Sequence, residues 1–424
     1  MNLHIIIPVV IFIAVYGAIT TELLNKTAAA LLGAMLMVIF GVLDQESAYK
    51  YIDWNVIFLL IGMMIIMGIT KQTGVFQYVA IKIAKFARGE PIVILILLSL
   101  VTALISSVLD NVTTVLIIVP ITILIAVELG ISPVPFVVAL AIASNIGGTA
   151  TLIGDPPNIM IGSAGNLSFM DFLANLTPVI LIILIINSFM ILLLFKKKLQ
   201  VSNERKARVM NFDESKAIED PKLLVKSMVV LGLVIVAFLF HSVVNLEPST
   251  IALTGAVVLI VISGHRELEH LFAEIEWTTI FFFLGLFMVV GALVEVGVMG
   301  MVSQWLITIT SGHLKAAQFV ILWVSSILSA VVDNIPFVAT MIPLIKDMGN
   351  QLGADAVRPL WWALSLGACL GGNGTLIGAS ANVVSAGLAA KSGHPISFWD
   401  FTKFGALFML MSIIVSTFYM FFRY

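Results

Sequence analysis

The sequence contains the same interrupted motif twice, 224 residues apart. Residues 143–158 read ASNIGGTATLIGDPPN and residues 367–382 read GACLGGNGTLIGASAN, with the shared frame Gly-Gly-x-x-Thr-Leu-Ile-Gly-x-x-x-Asn. Each copy lies in an apolar stretch long enough to enter a bilayer, and its glycines favour a break in any helix that forms there. Two broken segments at matching places predict a fold built from two related halves.

The duplication extends well beyond the motif. Most of the matching positions are 222 to 224 residues apart, which indicates an internal repeat. We therefore predict a first transmembrane repeat at 1–195, a charged linker at 196–222 and a second repeat at 223–424. The further matches are Gly33 with Gly255, Ile52-Asp53-Trp54 with Ile275-Glu276-Trp277, Gly74 with Gly297, Asp110-Asn111 with Asp333-Asn334, and Ser168–Phe172 with Ser397–Phe401.

The composition places these halves in a membrane. Hydrophobic residues make up 60% of the 424 residues and charged residues only 11%, whereas soluble domains are about 25% charged. The single cysteine, Cys369, excludes an intramolecular disulfide and any cysteine metal cluster. The apolar residues 1–19 lack a basic start and a cleavage site, so we read them as a first membrane helix.

Each half is predicted to contain the same helical elements. In the first half, two spans near 3–20 and 25–43 and a third at 54–70 precede an apolar stretch at 91–129, a broken segment at 134–165 and a last span at 172–195. An Asp-Asn pair interrupts the stretch at 91–129, which favours a re-entrant hairpin with Asp110-Asn111 at its tip. Five crossings per half would make the two halves inverted.

The predicted fold class is thus an all-α polytopic membrane protein with two inverted repeats. Each repeat has about five spanning helices, a re-entrant helical hairpin and a broken helix. A cytoplasmic linker with Lys196-Lys197-Lys198 leaves most of the 22 Lys and Arg residues inside, as the positive-inside rule requires. One extra or one missing span per half remains an open alternative.

Three acids fall deep within the apolar segments: Asp110, Asp155 and Asp333, with Glu295 a more peripheral candidate. An ionisable residue at the centre of a membrane helix costs about 2.5–3.5 kcal/mol and indicates function. No Lys or Arg is predicted to lie beside these acids. Asp110 and Asp333 have an alternative role, because each can cap the second helix of its hairpin.

Asp155 differs from the other two acids because the second repeat has Ala379 at its position. The fold itself therefore does not require this carboxyl group. An acid that only one half carries favours a proton or ion carrier. The pair Pro156-Pro157 that follows stops a preceding helix and frees carbonyl groups.

Amides and hydroxyls dominate the rest of the deep positions. This lining suits a cation, a proton or a neutral polyhydroxy solute, and it suits a dicarboxylate only if sodium ions and helix dipoles supply the positive charge. Such residues also serve as hydrogen-bond links between membrane helices, which is the alternative interpretation. They are Asn111, Asn145, Asn158, Asn334, Asn373, Asn382, Thr149, Thr151 and Thr375.

The strings at 110–114 and 147–158 resemble the ion transporter superfamily, and more closely its branch of arsenite-efflux permeases and melanosomal P proteins. The resemblance implies an inverted-repeat transporter with an elevator-like or rocking mechanism. It also implies binding residues in both halves: Asp110, Asn111, Asn145, Thr149, Asp155 and Asn158, and Asp333, Asn334, Asn373, Thr375 and Asn382. Ile146 stands where the dicarboxylate branch has Thr, which disfavours that branch.

The sequence thus favours a secondary active transporter that exports arsenite or antimonite in exchange for protons. The alternatives are a sodium/proton or other inorganic-ion antiporter and a sodium-coupled dicarboxylate or sulfate carrier. We expect H+ as the coupling ion, with Na+ as the alternative, and neither cofactor nor bound metal. Succinate and citrate are not expected to be carried.

An enzyme is not expected. An intramembrane aspartyl protease would need a Tyr-Asp dipeptide, which this sequence lacks, and no nucleotide-binding Gly-x-x-x-x-Gly-Lys motif occurs. The expected location is the cell (inner) membrane, as a multi-pass protein with a cytoplasmic linker. The expected partners are a small inorganic solute and the lipid bilayer. A homodimer and a cytoplasmic ATPase subunit are compatible with the sequence, and nucleic acid is not expected.

Overall fold

The computed structural model describes residues 3–21, 23–197, 199–264, 268–310 and 313–424. Met1 and Asn2 of the predicted first span and Lys198 of the predicted linker lie outside this part. All regular secondary structure within it is helical. The helices of the first half and the linker are α1 (Leu3–Thr20), α2 (Lys26–Ile39), α3 (Gln45–Lys50), α4 (Trp54–Lys71), α5 (Val75–Phe86), α6 (Pro91–Ser106), α7 (Asn111–Glu128), α8 (Val134–Gly148), α9 (Pro156–Gly165), α10 (Phe169–Asn175), α11 (Thr177–Phe195) and α12 (Asn203–Met210).

The helices that follow the linker occur in the same order. The described residues also form two short 3₁₀-helices, Glu214–Ala217 in the linker and Gly372–Gly374 in the second broken segment. The α-helices are α13 (Pro221–Val244), α14 (Pro248–Ser263), α15 (Leu268–Ala273), α16 (Trp277–Glu295), α17 (Val298–Ile309), α18 (Leu314–Ser329), α19 (Asn334–Leu352), α20 (Arg358–Gly371), α21 (Ser380–Lys391) and α22 (Phe398–Arg423).

Six of the described helices, α4, α7, α11, α13, α16 and α22, are long and apolar enough to cross a membrane. The number becomes seven if the bent pair α17 and α18 makes one span. Five further apolar helices are shorter, among them α2, α6 and α8. The chain is therefore a multi-pass membrane protein, in keeping with its composition.

Matching glycines begin matching helices in the two halves. Gly74 precedes α5 with φ 77° and ψ 9°, and Gly297 precedes α17 with φ 78° and ψ 9°. This left-handed conformation costs a glycine little and other residues considerably more. The same corner therefore follows α4 in the first half and α16 in the second, and it turns the chain into a short amphipathic helix.

Three short helices of the first half were not predicted from the sequence. Helix α5 has Gln77, Lys82 and Lys85 among its 12 residues, so it is too short and too polar to be recognised as a span. Helix α3 has only six residues, of which Glu46 and Lys50 are charged. The predicted last span at 172–195 is divided into α10 and α11, because Pro178 starts a new helix.

Two glycines let helices of different halves come into backbone contact. A Cβ atom on Gly62 of α4 would lie 2.6 Å from the carbonyl carbon of Ala252 in α14. A Cβ atom on Gly285 of α16 would lie 2.6 Å from the carbonyl carbon of Ala30 in α2. Helix α14 of the second half therefore packs against α4 of the first half, and α2 of the first half packs against α16 of the second, so the two halves interlock.

The linker is folded against the first half. Glu214 accepts a hydrogen bond from Lys85 of α5 at 2.5 Å, and the backbone N–H of Glu219 donates to the Thr73 carbonyl at 3.1 Å. Arg205 donates to the carbonyl of Gly130, which follows α7, at 2.8 Å. The linker thus contacts both α5 and the end of α7, which is the second helix of the predicted first hairpin.

Candidate functional site

The side chain of Asn145 on α8 is the centre of a buried network of four amides. Its Nδ2 donates to Oδ1 of Asn373 at 2.8 Å and to Oδ1 of Asn382 at 3.0 Å, so both of its N–H bonds reach the second half. Its Oδ1 accepts from Nδ2 of Asn111, the first residue of α7, at 3.0 Å. All four residues are buried. The network therefore joins the start of α7, at the tip of the first predicted hairpin, to both sides of the second break.

The asparagine that ends each motif stabilises its own helix break. Nδ2 of Asn158 donates to the carbonyl of Thr151 at 2.8 Å, and Nδ2 of Asn382 donates to the carbonyl of Thr375 at 2.9 Å. A helix that ends leaves its last carbonyls without partners, and these amides satisfy some of them at membrane depth. The repeated asparagine therefore supports the break in the same way in both halves.

The oxygen atoms of these two asparagines face the opposite half. Oδ1 of Asn382 accepts from Asn145, and Oδ1 of Asn158 accepts from Ser365 at 2.6 Å and contacts the Cys369 thiol at 3.7 Å. Asn145 and Cys369 occupy matching positions of the two motifs. The same contact thus occurs twice with different chemistry, once with an amide donor and once with a weak thiol donor.

Asp155 lies at the break of the first motif and is fully buried. Its Oδ2 accepts from Nδ2 of Asn334, the first residue of α19, at 3.3 Å. Its Oδ1 has no hydrogen-bond partner in the part of the chain that the structure describes. The backbone of Asp155 (φ −145°, ψ 132°) matches that of Ala379 (φ −146°, ψ 141°). The fold accepts either residue at this position, so the acid is an addition to the repeat.

Asp110 and Asp333 both cap helices, which is the alternative role that the sequence left open. Oδ1 of Asp110 accepts from the backbone N–H of Thr113 at 2.9 Å, and Oδ1 of Asp333 accepts from that of Ile335 at 3.1 Å. The carboxylates satisfy N–H groups that the first turns of α7 and α19 would otherwise leave free.

Asp333 has a basic neighbour, so the expectation that no Lys or Arg lies beside the deep acids is wrong at this position. Nζ of Lys26 lies 3.2 Å from Oδ2 of Asp333 and 2.8 Å from Oγ of Ser380. Lys26 is the first residue of α2, and sequence reasoning placed it at the end of a span. The packing of α2 against α16 brings Lys26 to the second half, and the local sequence carries no signal of that packing.

The three threonines of the predicted site act as links within the fold. Oγ1 of Thr149 donates to the carbonyl of Asn145 at 2.7 Å. Oγ1 of Thr151 donates to the Ser107 carbonyl and Oγ1 of Thr375 to the Ala330 carbonyl. These last two bonds tie each broken segment to the first helix of the adjacent hairpin. Their positions match in the two halves.

Three cavities are lined in part by residues of the helices that form this polar centre or by the residues that cap them. One of about 410 Å³ is lined by Lys26, Asp333 and Ser380. A second of about 550 Å³ is lined by Thr113 of α7 and Glu276 beside α16. A third, of about 460 Å³, includes Asp53, Met160, Ala339 and Asp347 in its lining.

Residues 16–367 match the family described as "CitMHS: Citrate transporter". The chain is 48% identical to an uncharacterized transporter of Mycobacterium bovis, over 99% of this chain and 98% of the relative. It is 45% identical to the 46 kDa membrane protein of Mycobacterium leprae, over 99% of both chains. The P protein of Homo sapiens is 32% identical over 98% of this chain, which corresponds to 59% of the P protein.

The fold is similar to that of a solved transporter. The YdaH transporter of Alcanivorax borkumensis superposes with a TM-score of 0.62 at 12% identity, over 98% of this chain and 97% of that one. The resemblance to the ion transporter superfamily and to its P-protein branch is thus confirmed, and so is the expectation of a transporter rather than an enzyme. The chain belongs to the citrate transporter family within the ion transporter superfamily.

Proposed function

We propose that this protein is a proton-coupled secondary transporter of the cell membrane in which Asp155 carries the proton. Its leading solutes are arsenite and antimonite, exported as neutral hydroxides. The charged linker faces the cytoplasm in this proposal. Transport by the chain alone is driven by an ion gradient, since the sequence has no nucleotide-binding motif.

The observation that carries the proposal is the environment of Asp155. One carboxylate oxygen receives a single amide donor, Nδ2 of Asn334, and the other receives none from the described residues. A buried carboxylate with so few donors is costly, and protonation relieves that cost. Because Ala379 occupies the matching position on an equivalent backbone, the acid serves a purpose other than building the break.

The substrate proposal rests on the polar groups around this acid. The amides of Asn111, Asn145, Asn373 and Asn382 bond directly to one another. Amides and hydroxyls match the donors and acceptors of a small neutral hydroxide. These bonds must exchange for bonds to solute when the site opens.

A carboxylate carrier is the second candidate, and two observations favour it. The Lys26 ammonium lies beside Asp333 and Ser380 at the wall of a cavity of about 410 Å³, so a positive group is available near the site. The matching family is described as a citrate transporter. In this alternative, the carboxylate approaches Lys26 while the charge of Asp333 is neutralised.

Flux into everted vesicles tests these proposals. Vesicles with wild-type protein or with Asp155→Asn receive arsenite, sodium, succinate or citrate, each with and without an imposed pH gradient. Arsenite uptake that follows the gradient in wild type and disappears in the variant supports the proposal. Gradient-driven citrate uptake without arsenite uptake would select the second candidate. Flux that is independent of the gradient would refute proton coupling.

A further inference from the structure

Lys26, Asp333 and Ser380 form a closed triangle of polar contacts. Nζ of Lys26 donates to Oδ2 of Asp333 at 3.2 Å and to Oγ of Ser380 at 2.8 Å. Oγ of Ser380 in turn donates to the same Oδ2 at 2.7 Å. The ammonium group therefore lies against two oxygen atoms that contact each other.

This triangle is assembled from three separate helices. Lys26 starts α2, Asp333 precedes α19 and Ser380 starts α21. The Asp333 side chain is 12% exposed and that of Lys26 is 34% exposed, and all three residues line the cavity of about 410 Å³. A positive charge thus reaches a mostly buried carboxylate at the tip of the second predicted hairpin, from a helix of the other half.

The first half has no such cation at the matching place. Asp110 matches Asp333, but Pro248 stands at the position that matches Lys26, and Pro156 stands at the position that matches Ser380. Proline offers neither a charge nor a side-chain oxygen. The Lys–Asp–Ser triangle is therefore particular to the second hairpin and is not a requirement of the repeat.

We propose that the Lys26 ammonium is a tethered substitute for a free monovalent cation, and that it excludes sodium from a site formed by Asp333 and Ser380. A carboxylate and a hydroxyl oxygen are suitable ligands for a hard cation such as sodium. The neighbouring cavity can supply water as the remaining ligands. While Lys26 is present, its ammonium neutralises Asp333 and occupies the place where a metal ion would bind.

Exclusion of sodium by Lys26 would explain why protons rather than sodium ions drive transport, and this part of the inference rests on the proposed function. Removal of the ammonium leaves a mostly buried carboxylate without its counter-charge, which is an unfavourable state. A cation from solution relieves it. Lys26→Ala should therefore create a sodium site and make the protein respond to sodium.

Binding of radioactive sodium to purified full-length protein tests this, with choline holding the ionic strength constant. We expect Lys26→Ala to bind sodium at least about tenfold more tightly than wild type, which corresponds to about 1.4 kcal/mol. Lys26→Ala combined with Asp333→Asn should lose this binding. Lys26→Arg should resemble wild type, because it keeps the charge.

The matched control is Lys71→Ala, which removes a lysine that pairs with Glu274 across the two halves at 3.4 Å, at a more exposed place. Sodium binding by this variant equal to that of Lys26→Ala would contradict the proposal, and so would a folded Lys26→Ala that binds no more sodium than wild type. If Lys26→Ala is not recovered folded, Lys26→Met keeps the aliphatic stem and replaces it in every comparison. The measurement uses no solute and no pH gradient, so it remains decisive if the role of Asp155 is refuted.

Discussion

Nδ2 of Asn145 lies 3.0 Å from Oδ1 of Asn382, so one hydrogen bond joins the first motif to the asparagine that ends the second. Asn382 holds the second break with its own Nδ2, through the carbonyls of Gly372 and Thr375. The contact between the halves therefore depends on the same side chain that maintains the break. This amide therefore links the second break directly to the first motif.

Asp155→Asn should abolish flux driven by a pH gradient while the protein still accumulates in the membrane. The amide is nearly isosteric with the acid, and its oxygen can still accept from Asn334, but it carries no titratable proton. Flux in vesicles and the amount of monodisperse protein are the two measurements. Gradient-driven flux near the wild-type level would remove Asp155 from the mechanism.

Asn158→Asp and Asn382→Asp should each destabilise the fold. A carboxylate at either position cannot donate to the carbonyls that the amide now satisfies, and each buried carbonyl left without a donor costs about 1–3 kcal/mol. Thermal unfolding in detergent, followed by size-exclusion chromatography, measures the loss. Asn187→Leu is the control, because the buried Oδ1 of Asn187 has no hydrogen-bond partner in the described part of the chain. It should be neutral or slightly stabilising, and an equal loss in the control would argue against this role of the amides.

Gly62→Ala and Gly285→Ala should be destabilising to a similar extent. In each variant the new methyl group meets the backbone of the facing helix at 2.6 Å, so the two helices must separate. Overpacking of this kind costs about 1–3 kcal/mol. Gly232→Ala in α13 is the matched control, because no atom lies within 4 Å of the Cβ it would add. The midpoint of thermal unfolding is measured for all three variants. If Gly62→Ala and Gly285→Ala unfold at the same midpoint as Gly232→Ala, the close packing is contradicted.

Docking of the linker should weaken as the pH falls through the folded-state pKa of Glu214. The hydrogen bond from Lys85 holds the pKa of Glu214 below its usual value. A depressed pKa stabilises the docked state at pH values above the undocked pKa of about 4.3, and this contribution is lost as the carboxylate is protonated. A spin label at the exposed Ser202 should gain mobility in this acidic range. Glu214→Gln should remove the pH-dependent step, and a mobility that stays constant in wild type would refute the role of this pair.

The helix breaks and the interruptions at the two Asp-Asn pairs could be predicted from the sequence because their signals are local. Glycines, the Pro156-Pro157 pair and the Asp-Asn pairs interrupt apolar stretches at matching positions, and the structure ends or begins helices at these points. Helix α5 was not predicted because a search for apolar spans does not detect a short helix with a polar face. Its position depends on contacts with the linker, which no periodicity reveals.

The site was predictable in its composition but not in its bonding. The sequence identified Asn158 and Asn382 as polar residues of the centre, whereas their use of Nδ2 for the helix breaks follows from three-dimensional geometry. The position of Lys26 depends on the packing of α2 against a helix about 250 residues later in the chain. Hydrophobic patterning reports which face of a helix is apolar, and it does not report which partner covers that face.

The interlocking of the two halves has a consequence for the order of synthesis. About 250 residues separate Ala30 from Gly285, its partner in the facing helix. At roughly 5–20 residues per second, the ribosome needs about 13 to 50 seconds to make the intervening chain. Throughout this interval Ala30 and Leu31 of α2 lack the helix that packs on their backbone. The nascent first half must therefore persist in the membrane without this contact, and a chain that terminates at the linker would never form it.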